Sequence, residues 1–391
     1  MLWAGQTISR LGDAVFQLSL SWWVLEKTGS PVTMGTILVA TSVPMLIFLL
    51  IGGLTVDRVS REHLMFYSDL ARGIIVSLIS LLAYTGRLEV WHVLIMGIIF
   101  GFISAFFAPA YVALVPAITP RDDLPSANSL SALSAHFGSI AGPGVGALIV
   151  NAGGTPLAFG VNALSFFAGA AFLFPLLKDA KAPVRAETAH TNPFLDLRDG
   201  LRTLVASPVL WVTIVVASLG NMVLSGPRSV TMPFLVKDFL GGDAGMLAFI
   251  NSIFPIGFVA GNLWLGRTPH LRRRGIGMYV WWGIASLSLI VFGFRVPLWA
   301  LAIGAFVFGF GIEIVNLIWT NLMQELVPPE QMGRVSSIDM LGSFVFMPVG
   351  YALAGWATEW IGPAMVFIVF SSLSALFAVL GLLFPSIRNT D

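Results

Sequence analysis

Residues 91–115 read WHVLIMGIIFGFISAFFAPAYVALV, a run without an Asp, Glu, Lys or Arg. An α-helix rises 1.5 Å per residue, so about 20 mostly apolar residues cross the hydrocarbon layer of a bilayer. The run is long enough for that and strands no charge in lipid. It is too long and too uniformly apolar for a β-barrel strand, which alternates over about ten residues. The stretch predicts a membrane-spanning helix.

Reading outward from it, uncharged runs between charged or Pro/Gly clusters give twelve such spans. They fall at 2–26, 32–55, 63–84, 91–115, 127–151 and 155–177, then 208–236, 244–266, 275–294, 299–324, 334–358 and 363–385. The whole composition agrees. Of 391 residues, 57% are hydrophobic and only 10% charged, against roughly 25% charged in soluble domains. Mean hydropathy is +0.87. A soluble enzyme, a disordered chain and a nucleic-acid binder are excluded together, since 21 basic against 20 acidic residues leave no field for a polyanion. Zero cysteines exclude disulfides and thiolate metal sites. The fold class is an all-α polytopic membrane protein.

The one long polar stretch, 178–207, holds Lys178, Lys181, Arg185, Arg198 and Arg202 and divides the chain into six spans plus six. The expected organisation is a six-helix bundle over 1–177, a cytoplasmic linker over 178–207 and a second bundle over 208–391. Asn192-Pro193 suits the start of a short surface helix over about 193–204. Basic residues set the orientation. Fourteen of the 21 lie in loops after even-numbered spans or in the C-terminal tail, from Arg58 and Arg61 to Arg334 and Arg388. Only Lys27, Arg87, Lys237 and Arg295 lie in loops on the other side. Both termini are therefore expected in the cytoplasm. The first span lacks a basic leader and is expected to be retained.

The halves repeat weakly at an offset near 208 residues. Gly12-Asp13 falls opposite Gly220-Asn221, and Leu114-Val115-Pro116 parallels Leu326-Val327-Pro328. Two such halves imply a pseudo-two-fold axis along the membrane normal, with a substrate path between them.

Gly53-Leu54-Thr55-Val56-Asp57-Arg58-Val59-Ser60-Arg61 resembles the Gly-x-x-x-Asp-Arg-x-Gly-Arg loop of the major facilitator superfamily, with Ser60 in place of the second Gly. The resemblance implies a conformational gate at Gly53, Asp57, Arg58 and Arg61 that latches the halves. A second signature, Gly138-x-x-x-Gly142-Pro143-Gly144-x-Gly146, is similar to the Gly-Pro motif of antiporters in that superfamily. Small residues one turn apart let helices touch, and Pro143 permits a kink. Trp3-Ala4-Gly5-Gln6, Leu25-Glu26-Lys27-Thr28-Gly29-Ser30 and the run from Leu326 to Val335 resemble macrolide-efflux-type transporters. Ser9-x-x-Gly12-Asp13 is also similar to the lysophospholipid transporter branch.

A charge at the bilayer centre costs about 3 kcal/mol or more and commonly marks function. Two carboxylates stand near mid-span, Asp13 in the first span and Glu313 in the tenth. The resemblance implies that the first, fourth, seventh and tenth spans line a central cavity. Glu313 is the first choice for proton coupling, with Asn316 one turn on as its hydrogen-bond partner. Its plain alternative is a carboxyl satisfied by neighbouring helices. Asp13 is the second, set against a structural ion pair with Arg10. His136 is a possible proton relay or a helix–helix hydrogen bond. Arg228 either binds an anionic headgroup or snorkels to the interface. Asn221 and Trp319 complete the expected cavity with Arg10, Asp13, Arg228, Glu313 and Asn316.

No Gly-Lys dipeptide exists, so no Walker loop binds ATP, and no catalytic or metal-ligating pattern is present. The expectation is a monomeric, bacterial inner-membrane exporter without a cofactor, driven by the proton gradient. It takes small amphipathic or lipophilic drugs, with lipids around it and neither ATP nor nucleic acid as partner. A lysophospholipid translocator and a siderophore or metabolite exporter remain alternatives.

Overall fold

The computed structural model describes residues 2–56, 59–179, 193–267, 273–328 and 331–390. Among these every regular element is helical and no strand occurs. Ten stretches are long and apolar enough to cross a membrane. They differ from the twelve expected spans at two places. Helix α1 (Leu2–Thr28) is continuous but carries Arg10, Asp13, Glu26 and Lys27, which dilute its hydropathy. Helix α5 (Leu124–Leu173) forms a single stretch yet contains a sharp break.

That break lies at Gly153 (φ −148°, ψ 17°) and Gly154 (φ 72°, ψ −179°). The second conformation is closed to residues with a Cβ, so only glycine turns the chain there. Pro156 follows in the first turn of the next segment, where its missing N–H costs nothing. The boundary expected between 127–151 and 155–177 falls at this point.

The chain forms two compact units, Met1–Glu187 with Gly242–Ser252, and Thr188–Gly241 with Ile253–Asp391. In the first, α1 packs along α5, and α2 (Pro31–Val56) along α4 (Val90–Ile118). Helix α3 (Arg61–Tyr84) lies against α4 and α5. Helix α4 starts with a reciprocal cap between Glu89 and His92, and Glu89 also pairs with Lys27 at 2.9 Å.

The second unit begins with α6 (Pro193–Ala206), where the short helix over 193–204 is expected. Helix α7 (Pro208–Gly226) continues through π-type turns at Pro227–Thr231 and Leu235–Phe239. Then come α8 (Ala244–Gly266), which belongs to this unit from Ile253 on, α9 (Arg274–Ser288), α10 (Leu298–Leu326), α11 (Met332–Phe344), α12 (Met347–Ile361), α13 (Pro363–Gly381) and α14 (Pro385–Arg388). The span expected at 334–358 is thus interrupted at Val345 and Phe346, between α11 and α12.

Small residues set the helix seams. Gly138, Gly142 and Gly146 recur every fourth residue, on one side of α5. A Cβ on them would meet Arg10, Ala14 and Leu18 of α1 in turn. The seam recurs 208 residues later in the second unit, where Gly350 lies on the carbonyl of Met222 and Gly226 on Ala354. Gly101 lies on the Thr41 carbonyl, and Gly309, 208 residues on, lies on the carbonyl of Phe254, which stands 213 residues beyond Thr41. The internal repeat is therefore one of contacts as well as letters.

Candidate functional site

In the first unit, α3 carries Asp69 and Arg72 one turn apart, on the same side of the helix. Asp69 has no exposed surface, and neither of its oxygens has a hydrogen-bond partner among the described residues. Arg72 Nη1 stands 4.0 Å from Asp69 Oδ1, the outer limit of an ion pair. Its Nη2 donates to Ser104 Oγ on α4 at 3.2 Å. The rings of Phe107, Phe166 and Phe100 surround the guanidinium at 4.4, 5.7 and 5.8 Å. Asp13 is half-buried on α1, one turn after Arg10.

The expected pairing of Asp13 with Arg10 needs correction. Among the described residues no nitrogen of Arg10 lies within 4.0 Å of a carboxylate. Its guanidinium lies over the Tyr111 ring instead, at 5.4 Å. A flat, weakly hydrated guanidinium is well suited to an aromatic face.

In the second unit, Glu313 Oε1 accepts a hydrogen bond from Asn262 Nδ2 of α8 at 3.1 Å. Asn316, its expected partner, is exposed on α10, so this too is a correction. Gly261 makes the approach possible, because an added Cβ would lie 3.1 Å from that of Glu313. In the first unit the position 208 residues earlier is Ala105, fully buried. The repeat needs a small apolar residue at that seam, and this unit carries a carboxyl there.

Arg228 sits in the first π-type turn, half-buried, between the rings of Phe254 and Phe308 at 4.9 Å each. Its Nε is buried without a partner, and no carboxylate approaches within 4.0 Å among the described residues. Asn221, at the repeat position of Asp13, donates to the Ser343 carbonyl at 3.1 Å. Trp319 Nε1 donates to Asp339 Oδ2 at 3.3 Å, and Ser343 Oγ donates to Oδ1 at 3.2 Å.

A buried ion cluster on one helical unit, and a carboxyl held by a neutral amide on the other, suit a carrier better than a hydrolytic centre. Comparison with known families decides the class. A family described as "Transmembrane secretion effector" matches residues 1–277, and "Major Facilitator Superfamily" matches 227–390. The chain belongs to the major facilitator superfamily. It is similar to macrolide efflux protein A of Streptococcus pyogenes, 24% identical over all of this chain and 96% of that protein. It is also similar to the multidrug efflux pump Tap of Mycolicibacterium fortuitum, 25% identical over 97% of this chain and 94% of the pump. Among solved structures, a POT family transporter in complex with 5-aminolevulinic acid shares the fold. Its TM-score is 0.76 at 13% identity, over 99% of this chain and 96% of that one. This major facilitator is a multi-pass membrane transporter and not an enzyme.

Within the superfamily's gate motif, Asp57 and Arg58 lie outside the described residues, and Gly53 belongs to the last turns of α2. Arg61 opens α3 and donates from Nη1 to the Ala113 carbonyl of α4 at 3.2 Å. In the antiporter motif, Gly138, Gly142 and Gly146 face α1, Pro143 is buried, and nothing stands within 4 Å of a Cβ on Gly144. The His136 ring makes no hydrogen bond or ion pair among the described residues, so the helix–helix bond expected of it is absent. Its carbonyl accepts from Ser139 Oγ at 3.0 Å.

Asp69 and Asp339 were missed as mid-span carboxylates. The signal for Asp69 is plain in retrospect: Asp69-x-x-Arg72 places opposite charges on one helical face inside an otherwise apolar run.

Proposed function

We propose that this transporter is a secondary active exporter, exchanging inward-moving protons for outward-moving amphipathic or lipophilic compounds by alternating access. Macrolide-like drugs are the first class to test. Its similarity along the whole chain to a macrolide efflux protein carries this reading. The carboxyls inside spanning segments supply groups able to bind and release protons. Glu313 has a single neutral hydrogen-bond partner and no basic residue within 4.0 Å among those described. Such a group can change charge without breaking an ion pair that the fold requires.

Addition of drug to proteoliposomes is expected to move protons in the opposite direction. Glu313→Gln is expected to abolish uphill export while leaving downhill flux. A Glu313→Gln protein that accumulates drug as steeply as the parent removes Glu313 from the mechanism.

A second reading, translocation of a lysophospholipid or related lipid, rests on Arg228. Its guanidinium has aromatic faces beside it but no carboxylate, as a site for an anionic headgroup requires. Lipid movement without an imposed proton gradient, lost in Arg228→Ala, would favour that reading.

A further inference from the structure

The cluster on α3 holds a carboxyl without a bonded partner. Asp69 lies 4.0 Å from the buried guanidinium of Arg72, and its Oδ2 borders Gly169 of α5 together with Ser9 Oγ of α1. Ser104 of α4 accepts from Arg72, Ser9 of α1 meets Asp69 at Gly169, and Ser165 and Asn162 of α5 border Gly12 of α1, the helix that also carries Arg10 and Asp13. Of these Arg10 carries the other positive charge, and its guanidinium lies over the Tyr111 ring and not against a carboxylate. Three phenylalanine rings complete the surroundings of Arg72 and offer no solvation to an ionised carboxylate beside it.

Asp69 is fully buried with both oxygens unbonded, while Arg72 has drawn back to 4.0 Å and donates to Ser104. An ionised carboxylate in that place would hold the guanidinium in a short, bonded pair. The fold does not itself call for charge here. The second unit joins the same kind of helices with neutral bonds, Trp282 Nε1 to Ser374 Oγ at 3.2 Å and Ser286 to Ser374 at 2.8 Å.

We propose that Asp69 is a proton-binding site of the transport cycle, with Arg72 as the positioning residue that shifts between Asp69 and Asp13. Loading adds a proton from water to the Asp69 carboxylate, forms the neutral acid, and frees Arg72 towards Asp13 and Ser104. Unloading returns the proton to water and draws Arg72 back. This deepens the antiport reading above and rests on it for the role in transport, though proton binding can be measured without substrate.

The test uses the full chain in proteoliposomes, with two readouts. Infrared difference spectra between acid and alkaline buffer are expected to show a buried protonated carboxyl that disappears in Asp69→Asn. With erythromycin as probe and a pH dye inside, Asp69→Asn is expected to lose drug-driven proton movement and uphill export. It keeps drug-for-drug exchange within about twofold, since exchange needs no net proton. Asp69→Glu restores coupling. Ser104→Ala, which removes the hydroxyl holding Arg72 in the loaded state, is expected to lower coupling about fivefold, the worth of one such bond. It decides the matter should Asp69→Asn fail to fold.

An infrared difference unchanged in Asp69→Asn overturns the site. So does undiminished coupling in Asp69→Asn or Ser104→Ala, or transport driven by a sodium gradient alone. If the carboxyl band depends on Asp69 but the unmutated protein moves no protons with drug, the antiport reading fails and the cycle role falls with it. If the unmutated protein couples and Asp69→Asn couples equally, only the assignment to Asp69 fails.

Discussion

Gly142→Leu is expected to leave little folded transporter, whereas Gly144→Ala, two residues away in the same motif, is expected to melt at or slightly above the parent's temperature. At Gly142 even a Cβ overlaps Ala14 of α1, whose backbone runs just behind it. Neither helix can yield without opening the contacts at Gly138 and Gly146, which lie on the same line. Overpacking in a closed core costs about 1–3 kcal/mol, and a leucine forced between two backbones belongs at the upper end. The damage reaches function too, because Asp13 is the neighbour of Ala14 and moves with α1. At Gly144 nothing stands within 4 Å of the added methyl. There alanine brings only its better helix propensity, about 1 kcal/mol. Thermal melts of the detergent-solubilised variants separate the two positions. Equal losses at both would mean that α1 and α5 do not meet through this line of glycines.

The glycine seam was legible because it is local: residues four apart share a helix face whatever the fold. The turn at Gly153-Gly154 was legible for the same reason, as a pair of glycines before a proline between two apolar runs. Pairings across the chain were not. Glu313 and Asn262 are 51 residues apart, and only the contact of α8 with α10 through Gly261 brings them together. Asn316 looked the better partner because it is one turn away, yet that turn leaves it exposed. Arg10 failed as the partner of Asp13 in the same manner. Spacing of three permits an ion pair, but an aromatic face from Tyr111, 101 residues on, competes for the guanidinium. The interruption at Val345 and Phe346 has no glycine to announce it, and apolar periodicity alone runs through it. Asp69 and Arg72 were legible as opposite charges one turn apart inside an apolar run.

The bonding around Arg72 predicts which member of the cluster the fold can lose. Asp69→Asn removes a carboxyl that makes no hydrogen bond, leaves Arg72 its bond to Ser104, and is expected to be tolerated. Arg72→Gln leaves the Asp69 and Asp13 carboxyls with only the Arg10 guanidinium, which lies over Tyr111. Removing one partner of a buried pair costs about 3–5 kcal/mol, because the surviving charge has neither water nor counter-ion. The loss is expected to be largest in alkaline buffer and to shrink as the pH falls, since protons then replace the missing cation. Adding Asp69→Asn to Arg72→Gln removes one of the stranded carboxylates, and the double variant is expected to regain most of the lost stability. That non-additivity is what a double-mutant cycle measures for groups in contact. A purely structural ion pair gives another pattern: Asp69→Asn then destabilises as much as Arg72→Gln, and both lose less in combination than in sum. Melting temperatures of the three variants across pH distinguish a balanced pair from a cluster that needs a proton.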